Sequence, residues 1–202
     1  MEYIELSLEK VKEKTIELNE IIKKNKYDYD IVIFIAKGSY PIAKKLSEIN
    51  KVPLLEISAT RKGGKLKKML KPFMRIVPQG ILIKLRKKEM NSTYHETNKD
   101  RNVSFLVENY ENYKHKKKIL LVDDSVDSGY SIIEVKKVLE KFFKNSEIKV
   151  AVFNTMNKSI IKPDFTLYKD TMICGPWSND SKYHKLFLKE YEKWKCEYER
   201  KD

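Results

Sequence analysis

The chain has 202 residues, of which 41% are hydrophobic and 35% charged, and its formal net charge is +13 at pH 7. This length suffices for one sizeable hydrophobic core, and no apolar run approaches the ~18 consecutive residues of a membrane-spanning helix. The amino terminus lacks the order of a secretory signal, so we expect a soluble, cytoplasmic protein. Cys174 and Cys196 have neither metal spacing nor the pattern of a disulfide framework, which predicts free thiols.

The predicted elements alternate between helices and strands. In chain order they are a helix over 7–24, a strand over 31–36, a helix over 41–49, a strand over 53–59, a strand from 119, a helix over 131–143, a strand over 147–154, extended pieces over 163–168 and 171–174, and a helix over 181–199. Such alternation indicates right-handed βαβ units and a parallel sheet with helices on both faces. An aromatic stripe along the last helix predicts packing on the domain or on a second subunit.

The middle of the chain, residues 60–117, shows no clear strand. Segments 66–74 and 77–90 have helical spacing and many basic residues, and the polar stretch 91–102 is predicted to be a mobile loop. A second basic group lies at 114–118. Lysine-rich segments are usually solvated surfaces, but they also attract phosphates, including those of nucleic acid.

Residues 118–131 have the order expected of a ligand site. The apolar run 119–122 is typical of a strand that is buried on both faces, and Asp123 and Asp124 follow at its carboxyl end, where ligands of open α/β sheets bind. The small residues up to Ser131 form a turn before a helix, which favours a phosphate. Carboxylates beside a phosphate are consistent with a ligand that also carries a diol or Mg²⁺. The pattern therefore predicts a sugar phosphate. The structural alternative is an ordinary solvated turn.

The segment from Val122 to Ser131 resembles the phosphoribosyl pyrophosphate (PRPP) signature of the type I phosphoribosyltransferases. That signature is a strand, two acidic residues, three variable residues, Thr or Ser, Gly, any residue, and Thr or Ser. The resemblance implies that Asp123 and Asp124 hold the ribose hydroxyls and Mg²⁺, directly or through water. It also implies a 5′-phosphate loop made of Ser125, Val126, Asp127, Ser128, Gly129, Tyr130 and Ser131.

A second strand-loop-helix unit supports the first. After the strand over 31–35 come Ala36, Lys37, Gly38 and Ser39, which resemble the family's diphosphate loop. Lys37 occupies the basic position, and the resemblance implies a cis peptide bond between Ala36 and Lys37. Ser39 departs from the second glycine that is common in the family.

Two further expectations concern the acceptor. The segment 155–180 resembles the hood that holds the base in purine-type members, with Lys158, Met172 and Ile173 as base-binding candidates. In the 6-oxopurine branch, an Asp at the position of Asp127 is implied to accept the purine N7 proton as general base. The alternative for Asp127 is a structural role in its loop.

The resemblance thus implies a phosphoribosyltransferase fold over 1–202, with a helical, basic insertion or lid over 60–117 and a small carboxyl-terminal hood. The implied activity is Mg²⁺-dependent transfer of 5-phosphoribosyl from PRPP to a base, with a 6-oxopurine favoured and a homo-oligomer, most simply a dimer, expected. Two alternatives remain open. One is a PRPP-sensing regulator that binds nucleic acid through its basic surface, and the other is a transferase with an unusual acceptor.

Overall fold

The computed structural model describes residues 2–61, 101–106 and 108–199. Their elements, in chain order, are β1 (Tyr3–Glu5), α1 (Leu8–Lys24), β2 (Ile31–Ile35), α2 (Tyr40–Asn50), β3 (Leu54–Arg61), β4 (Arg101–Phe105), a 3-10 helix (Glu108–Tyr113), β5 (Lys118–Val126), α3 (Tyr130–Phe142), β6 (Glu147–Thr155), β7 (Phe165–Lys169), β8 (Met172–Cys174) and α4 (His184–Glu199). The alternation of strands and helices confirms the predicted α/β class.

A six-stranded sheet with the order β4-β3-β2-β5-β6-β7 lies at the centre of the fold. All neighbouring strands are parallel except β4, which runs antiparallel to β3. β1 and β8 form a separate, two-stranded parallel sheet that joins the amino-terminal strand to the predicted hood.

Helices cover both faces of the central sheet, as the apolar strands predict. On β2, Val32 and Phe34 point into a core shared with α1, α2 and α4. Ile31, Ile33 and Ile35 point into a second core shared with α3. Because both faces of β2 are buried, its sequence is a continuous apolar run and does not alternate between apolar and polar residues.

The strand order places a crevice between β2 and β5. The chain leaves β2 through α2 towards β3, and it leaves β5 through α3 towards β6, on the opposite face of the sheet. Ligands of open α/β sheets bind at this kind of switch point, outside the carboxyl ends of the strands. The loops that follow β2 and β5 therefore frame the expected site.

Three sequence predictions about secondary structure are wrong. The region 60–117 contains a strand, β4, and the predicted mobile loop over 91–102 overlaps it at Arg101 and Asn102. β1 was not predicted at all. Both strands are short and are held by pairing with segments far away in sequence, which local patterns do not reveal. The predicted helical insertion over 66–90 and the rest of the loop fall outside the described residues.

The aromatic stripe of α4 packs on the domain itself, which confirms one of its two predicted roles. Phe187 and Tyr191 are buried, and the Trp194 ring lies 5.4 Å from that of Phe34. Tyr183 precedes the helix, which begins at His184. Within the described ranges, no helix has the length and hydropathy needed to cross a membrane.

Candidate active site

The two adjacent carboxylates, Asp123 and Asp124, lie near the end of β5. Both residues are half-buried, and the Asp124 N–H donates to Oδ1 of Asp123 at 2.9 Å. Burial, followed by the neighbouring Asp124 charge, raises the pKa of Asp123 well above its ordinary value. Burial also raises the pKa of Asp124, and the charge of Asp127 adds to the rise in both. The pair is therefore a site where a cation or hydroxyl donors would relieve like-charge repulsion.

The predicted 5′-phosphate loop joins β5 to α3. β5 extends further than predicted, so Ser125 and Val126 lie in the strand and pair with β6. Gly129 has φ +90° and ψ −10°, a conformation that suits glycine, and it is the residue before α3. Gly129, the residue at the N-cap of α3, has no side chain that could cap the first turn. The positive end of the helix dipole makes this turn a fitting place for an anion.

The loop after β2 offers a second set of backbone donors. The structure confirms the predicted cis peptide bond between Ala36 and Lys37. The Ala36 N–H donates to the Ile57 carbonyl at 2.9 Å, and the buried Ser39 hydroxyl donates to the Ile35 carbonyl. No described residue accepts a hydrogen bond from the N–H groups of Lys37, Gly38 or Ser39. These donors suit the oxygens of a diphosphate.

Gly38 brings the loop after β2 against the end of β5. A Cβ placed on Gly38 would lie 3.1 Å from Cγ of Asp124 and 3.2 Å from Cδ1 of Trp177. The close approach therefore depends on the absence of a side chain at this position. Trp177 is half-buried, and its indole also covers Gly175 and packs at 6.5 Å from the Phe153 ring. The structure thus unites the carboxylate pair, the second loop and the hood in one place.

Arg101 is a site residue that the sequence did not reveal in this role. It is the first residue of β4, its side chain is buried, and its Nε donates to Oγ of Ser131 at 3.4 Å. Ser131 is the last residue of the PRPP signature. An arginine buried beside the start of a helix is well placed to contact phosphate oxygens. Only the pairing of β4 with β3 brings it there, because thirty residues separate it from Ser131 in the chain.

The three base-binding candidates are distributed over two segments. Lys158 is exposed and lies in the segment that follows β6, and this segment is tied to the phosphate loop by a hydrogen bond from Ile160 N–H to the Ser128 carbonyl at 3.1 Å. Met172 is buried and Ile173 is half-buried on β8. The Asn157 N–H donates to Asp170 at 2.7 Å, which links the two segments. Their contact with a base stays a prediction.

The carboxylate pair also fits the chemistry of a Mg²⁺ site. Mg²⁺ prefers oxygen ligands and usually keeps water or substrate phosphate oxygens in its coordination shell. Among the described residues there is no group of three or more His, Cys, Asp or Glu side chains that could enclose a metal ion. Asp123 and Asp124 would therefore supply only part of the shell, and the ligand would supply the rest.

The model of the phosphoribosyl transferase domain family matches residues 4–181. This range includes the central sheet, the loops after β2 and β5, and the segment predicted to be the hood. The chain therefore belongs to the phosphoribosyl transferase domain family, and we describe it as a phosphoribosyltransferase. No curated protein matches the chain in sequence.

Solved structures show the same fold at low sequence identity. The purine phosphoribosyltransferase of Pyrococcus horikoshii Ot3 is 19% identical, with a TM-score of 0.57, and the match covers 88% of this chain and 95% of that one. The xanthine-guanine-hypoxanthine phosphoribosyltransferase of Helicobacter pylori is 16% identical, with a TM-score of 0.60 and coverage of 95% and 97%. A hypothetical protein of Neisseria gonorrhoeae, solved with bound ppGpp, is 17% identical, with a TM-score of 0.60 and coverage of 94% and 97%.

Proposed function

We propose that the enzyme transfers the 5-phosphoribosyl group of PRPP to a ring nitrogen of a 6-oxopurine and releases diphosphate. The observation that carries the proposal is the contact between Gly38 and the Asp124 carboxyl group. It places the backbone donors of the loop after β2 beside the carboxylate pair, and the predicted phosphate loop follows that pair in the chain. PRPP has a matching order of groups, with a diphosphate at one end of its ribose, a phosphate at the other and a diol between them. The enzyme would hold all three groups at once.

Each part of the site has a role in binding PRPP. The first turn of α3, with Ser131 and Arg101, would hold the 5′-phosphate. Asp123 and Asp124 would accept hydrogen bonds from the ribose hydroxyls and hold Mg²⁺. The N–H groups of Lys37, Gly38 and Ser39 would hold the diphosphate. A bound Mg²⁺ would neutralise part of the negative charge that develops on the departing diphosphate.

The chain's own groups act on the two ends of the breaking bond. Backbone N–H groups of the loop after β2 stabilise the charge on the leaving oxygens, as preorganised donors do in other group transfers. The ribosyl carbon becomes cationic in the transition state, so water must be kept away from it. Trp177, whose indole lies beside Gly38, is an apolar group that could exclude water.

Asp127 is our candidate for the general base. It is exposed at the start of the phosphate loop, and its charge reaches Asp123 and Asp124. A carboxylate at this place could accept the N7 proton of a purine as the new bond to the ribosyl carbon forms. Lys158, Met172 and Ile173 would then contact the base from the hood. The names of the P. horikoshii and H. pylori neighbours support a purine as acceptor.

The test is diphosphate release from PRPP with Mg²⁺ in the presence of hypoxanthine, guanine, xanthine, adenine, uracil or orotate, with PRPP binding followed by calorimetry. We expect release with at least one 6-oxopurine and none without a base. Release only with adenine or a pyrimidine would overturn the proposed acceptor, and a protein that does not bind PRPP would overturn the assigned site. A surface variant, Lys44→Ala, whose ion pair with Glu48 is exposed on α2, serves as the control and should match the wild type.

Binding of PRPP without release on any base would instead favour the regulator that the basic composition left open. The N. gonorrhoeae neighbour adds a second ligand to the panel, because its structure contains ppGpp. We expect ppGpp to compete with PRPP, since both carry a diphosphate and a phosphorylated ribose. Competition is read from the calorimetric PRPP affinity at increasing ppGpp. The homo-oligomer, the single-domain organisation and the lid over 60–117 stay predictions.

A further inference from the structure

Glu56 is a carboxylate in the hydrophobic core that the proposed chemistry does not use. It lies on β3, opposite Phe34 of β2, and its side chain is fully buried. Oε1 accepts a hydrogen bond from the Tyr191 hydroxyl, whereas Oε2 has no hydrogen-bond partner among the described residues. Burial raises the pKa of Glu56. A buried acid with half of its hydrogen-bonding capacity unused lowers stability, so its presence here calls for a further role.

Glu56 is connected to the diphosphate loop through a short series of contacts. Tyr191 donates to Glu56, and the ammonium group of Lys37 lies 5.1 Å from the centre of the Tyr191 ring. The Lys37 ammonium also lies 3.7 Å from Oε1 of Glu192, the next residue of α4. Tyr40, three residues beyond Lys37, packs edge-on against Tyr191 at 5.3 Å. The side chain of Lys37 is therefore held by α4, while its neighbour Gly38 faces Asp124.

Of the two contacts that Lys37 makes with α4, Glu56 can influence the one with the Tyr191 ring. The ion pair between Lys37 and Glu192 is more than half exposed on both sides, and exposed pairs contribute little. A cation over an aromatic ring is attracted by the negative face of that ring. A phenol that donates to a carboxylate gains electron density, which strengthens this attraction. In its ionised form, Glu56 also attracts the Lys37 ammonium.

We propose that Glu56 is a positioning residue that acts through Tyr191 to anchor Lys37, and with it the diphosphate loop, to helix α4. The backbone N–H groups of residues 37–39 then keep the geometry that a diphosphate needs. The effect on PRPP rests on the proposed function, whereas the anchoring of Lys37 does not. In this arrangement the carboxyl-terminal helix supports the active site without touching the substrate.

Two conservative variants test the proposal. Glu56→Gln keeps the shape and an acceptor for Tyr191 but removes the charge, and Tyr191→Phe keeps the ring but removes the hydroxyl. We expect each to raise the KM for PRPP by about two- to fivefold, the factor that corresponds to losing a partly exposed cation–π contact, with little change in kcat. The double variant should resemble the single ones, because both changes interrupt the same connection. Tyr27→Phe, which removes a buried hydroxyl that bonds the Ile119 carbonyl, is the matched control.

The anchoring of Lys37 can also be tested on the free protein, without a turnover assay. Thermal midpoints of Glu56→Gln, Lys37→Met and the double variant form a cycle, and we expect their shifts to be non-additive. Additive shifts would overturn the proposal, even if the wild type proved unable to use PRPP and the proposed function failed. A second outcome would also overturn the proposal. If Tyr191→Phe has a lower thermal midpoint and an unchanged KM for PRPP, as we expect of Tyr27→Phe, the Tyr191 hydroxyl has a purely structural role.

Discussion

Gly38, in the loop after β2, lies against the carboxyl group of Asp124 on the neighbouring strand β5, and there is no room for a Cβ between them. The same glycine contacts Cδ1 of Trp177. Any side chain at this position must displace a carboxylate, an indole or the loop itself. A substitution at Gly38 is therefore expected to change the distance between the loop after β2 and the carboxylate pair.

Gly38→Ala is expected to weaken PRPP binding. The added Cβ would lie 3.1 Å from Cγ of Asp124, which is closer than ordinary van der Waals contact, so the Asp124 carboxyl group or the loop after β2 must move. Overpacking of this kind costs ~1–3 kcal/mol, and we expect the PRPP affinity to fall about tenfold. Calorimetry measures the affinity, and circular dichroism checks that the protein is folded. A folded variant with wild-type affinity would contradict the assigned contact.

Gly129→Ala is expected to destabilise the protein itself. Its φ of +90° is unfavourable for residues with a side chain, and the new Cβ would lie 2.8 Å from Cγ1 of Ile161. The left-handed conformation alone costs about 1–2 kcal/mol for an L-residue. Urea unfolding measures the loss. Adding Ile161→Ala removes the steric clash of the new Cβ but leaves the cost of the left-handed backbone conformation. The loss of stability in the double variant should therefore be smaller than the sum of the losses in the two single variants.

Asp127→Asn separates catalysis from binding. The amide cannot accept a proton as a base, so we expect kcat to fall by about 10²–10⁴ while the PRPP affinity changes little. Steady-state kinetics with the preferred base and calorimetry with PRPP give the two values. Unchanged turnover would assign Asp127 to its structural alternative. A loss of PRPP binding as large as the loss of turnover would show that it acts in the phosphate loop instead.

Asp123→Asn is expected to stabilise the free protein at neutral pH and to weaken PRPP and Mg²⁺ binding. Because the pKa of Asp123 is raised on folding, the folded state binds a proton more tightly than the unfolded state does. The stability that comes from this proton is present below the ordinary carboxyl pKa and is lost as pH rises through the raised value. The thermal midpoint of the variant should therefore exceed that of the wild type at pH 7 to 8, and the difference should shrink towards pH 4. A difference that is independent of pH would contradict the raised pKa.

Arg101→Met tests the residue that only the structure brings into the site. The change keeps most of the side-chain volume but removes the guanidinium that donates to Ser131. A hydrogen bond to a charged group contributes ~1.5–3 kcal/mol, so we expect affinity for PRPP and for nucleoside 5′-monophosphates to fall about tenfold or more. Affinity for diphosphate alone should be nearly unchanged. An equal loss for all three ligands would show that Arg101 does not act specifically on the 5′-phosphate.

Local patterns were sufficient for much of the central fold. The apolar runs that became β2 and β5 are buried on both faces, which is why they could be recognised without knowledge of their partners. β1 and β4 could not be recognised, because their short segments become strands only through pairing with β8 and β3. The contact of Trp177 with Gly38 likewise follows from the path of the chain and not from the residues around the tryptophan.

The sequence by itself determined the chemistry of the two loops, since the order of carboxylates, small residues and hydroxyls from Asp123 to Ser131 is local and needs no partner to be read. It also predicted the cis bond at Ala36, through the resemblance of the loop after β2. Only the tertiary structure decided how these loops are placed relative to one another and which side chains support them. Gly38, Arg101 and Glu56 owe their roles to side chains from 30 to 139 positions away, and such distances are closed by strand pairing and core packing, which no short stretch of sequence encodes.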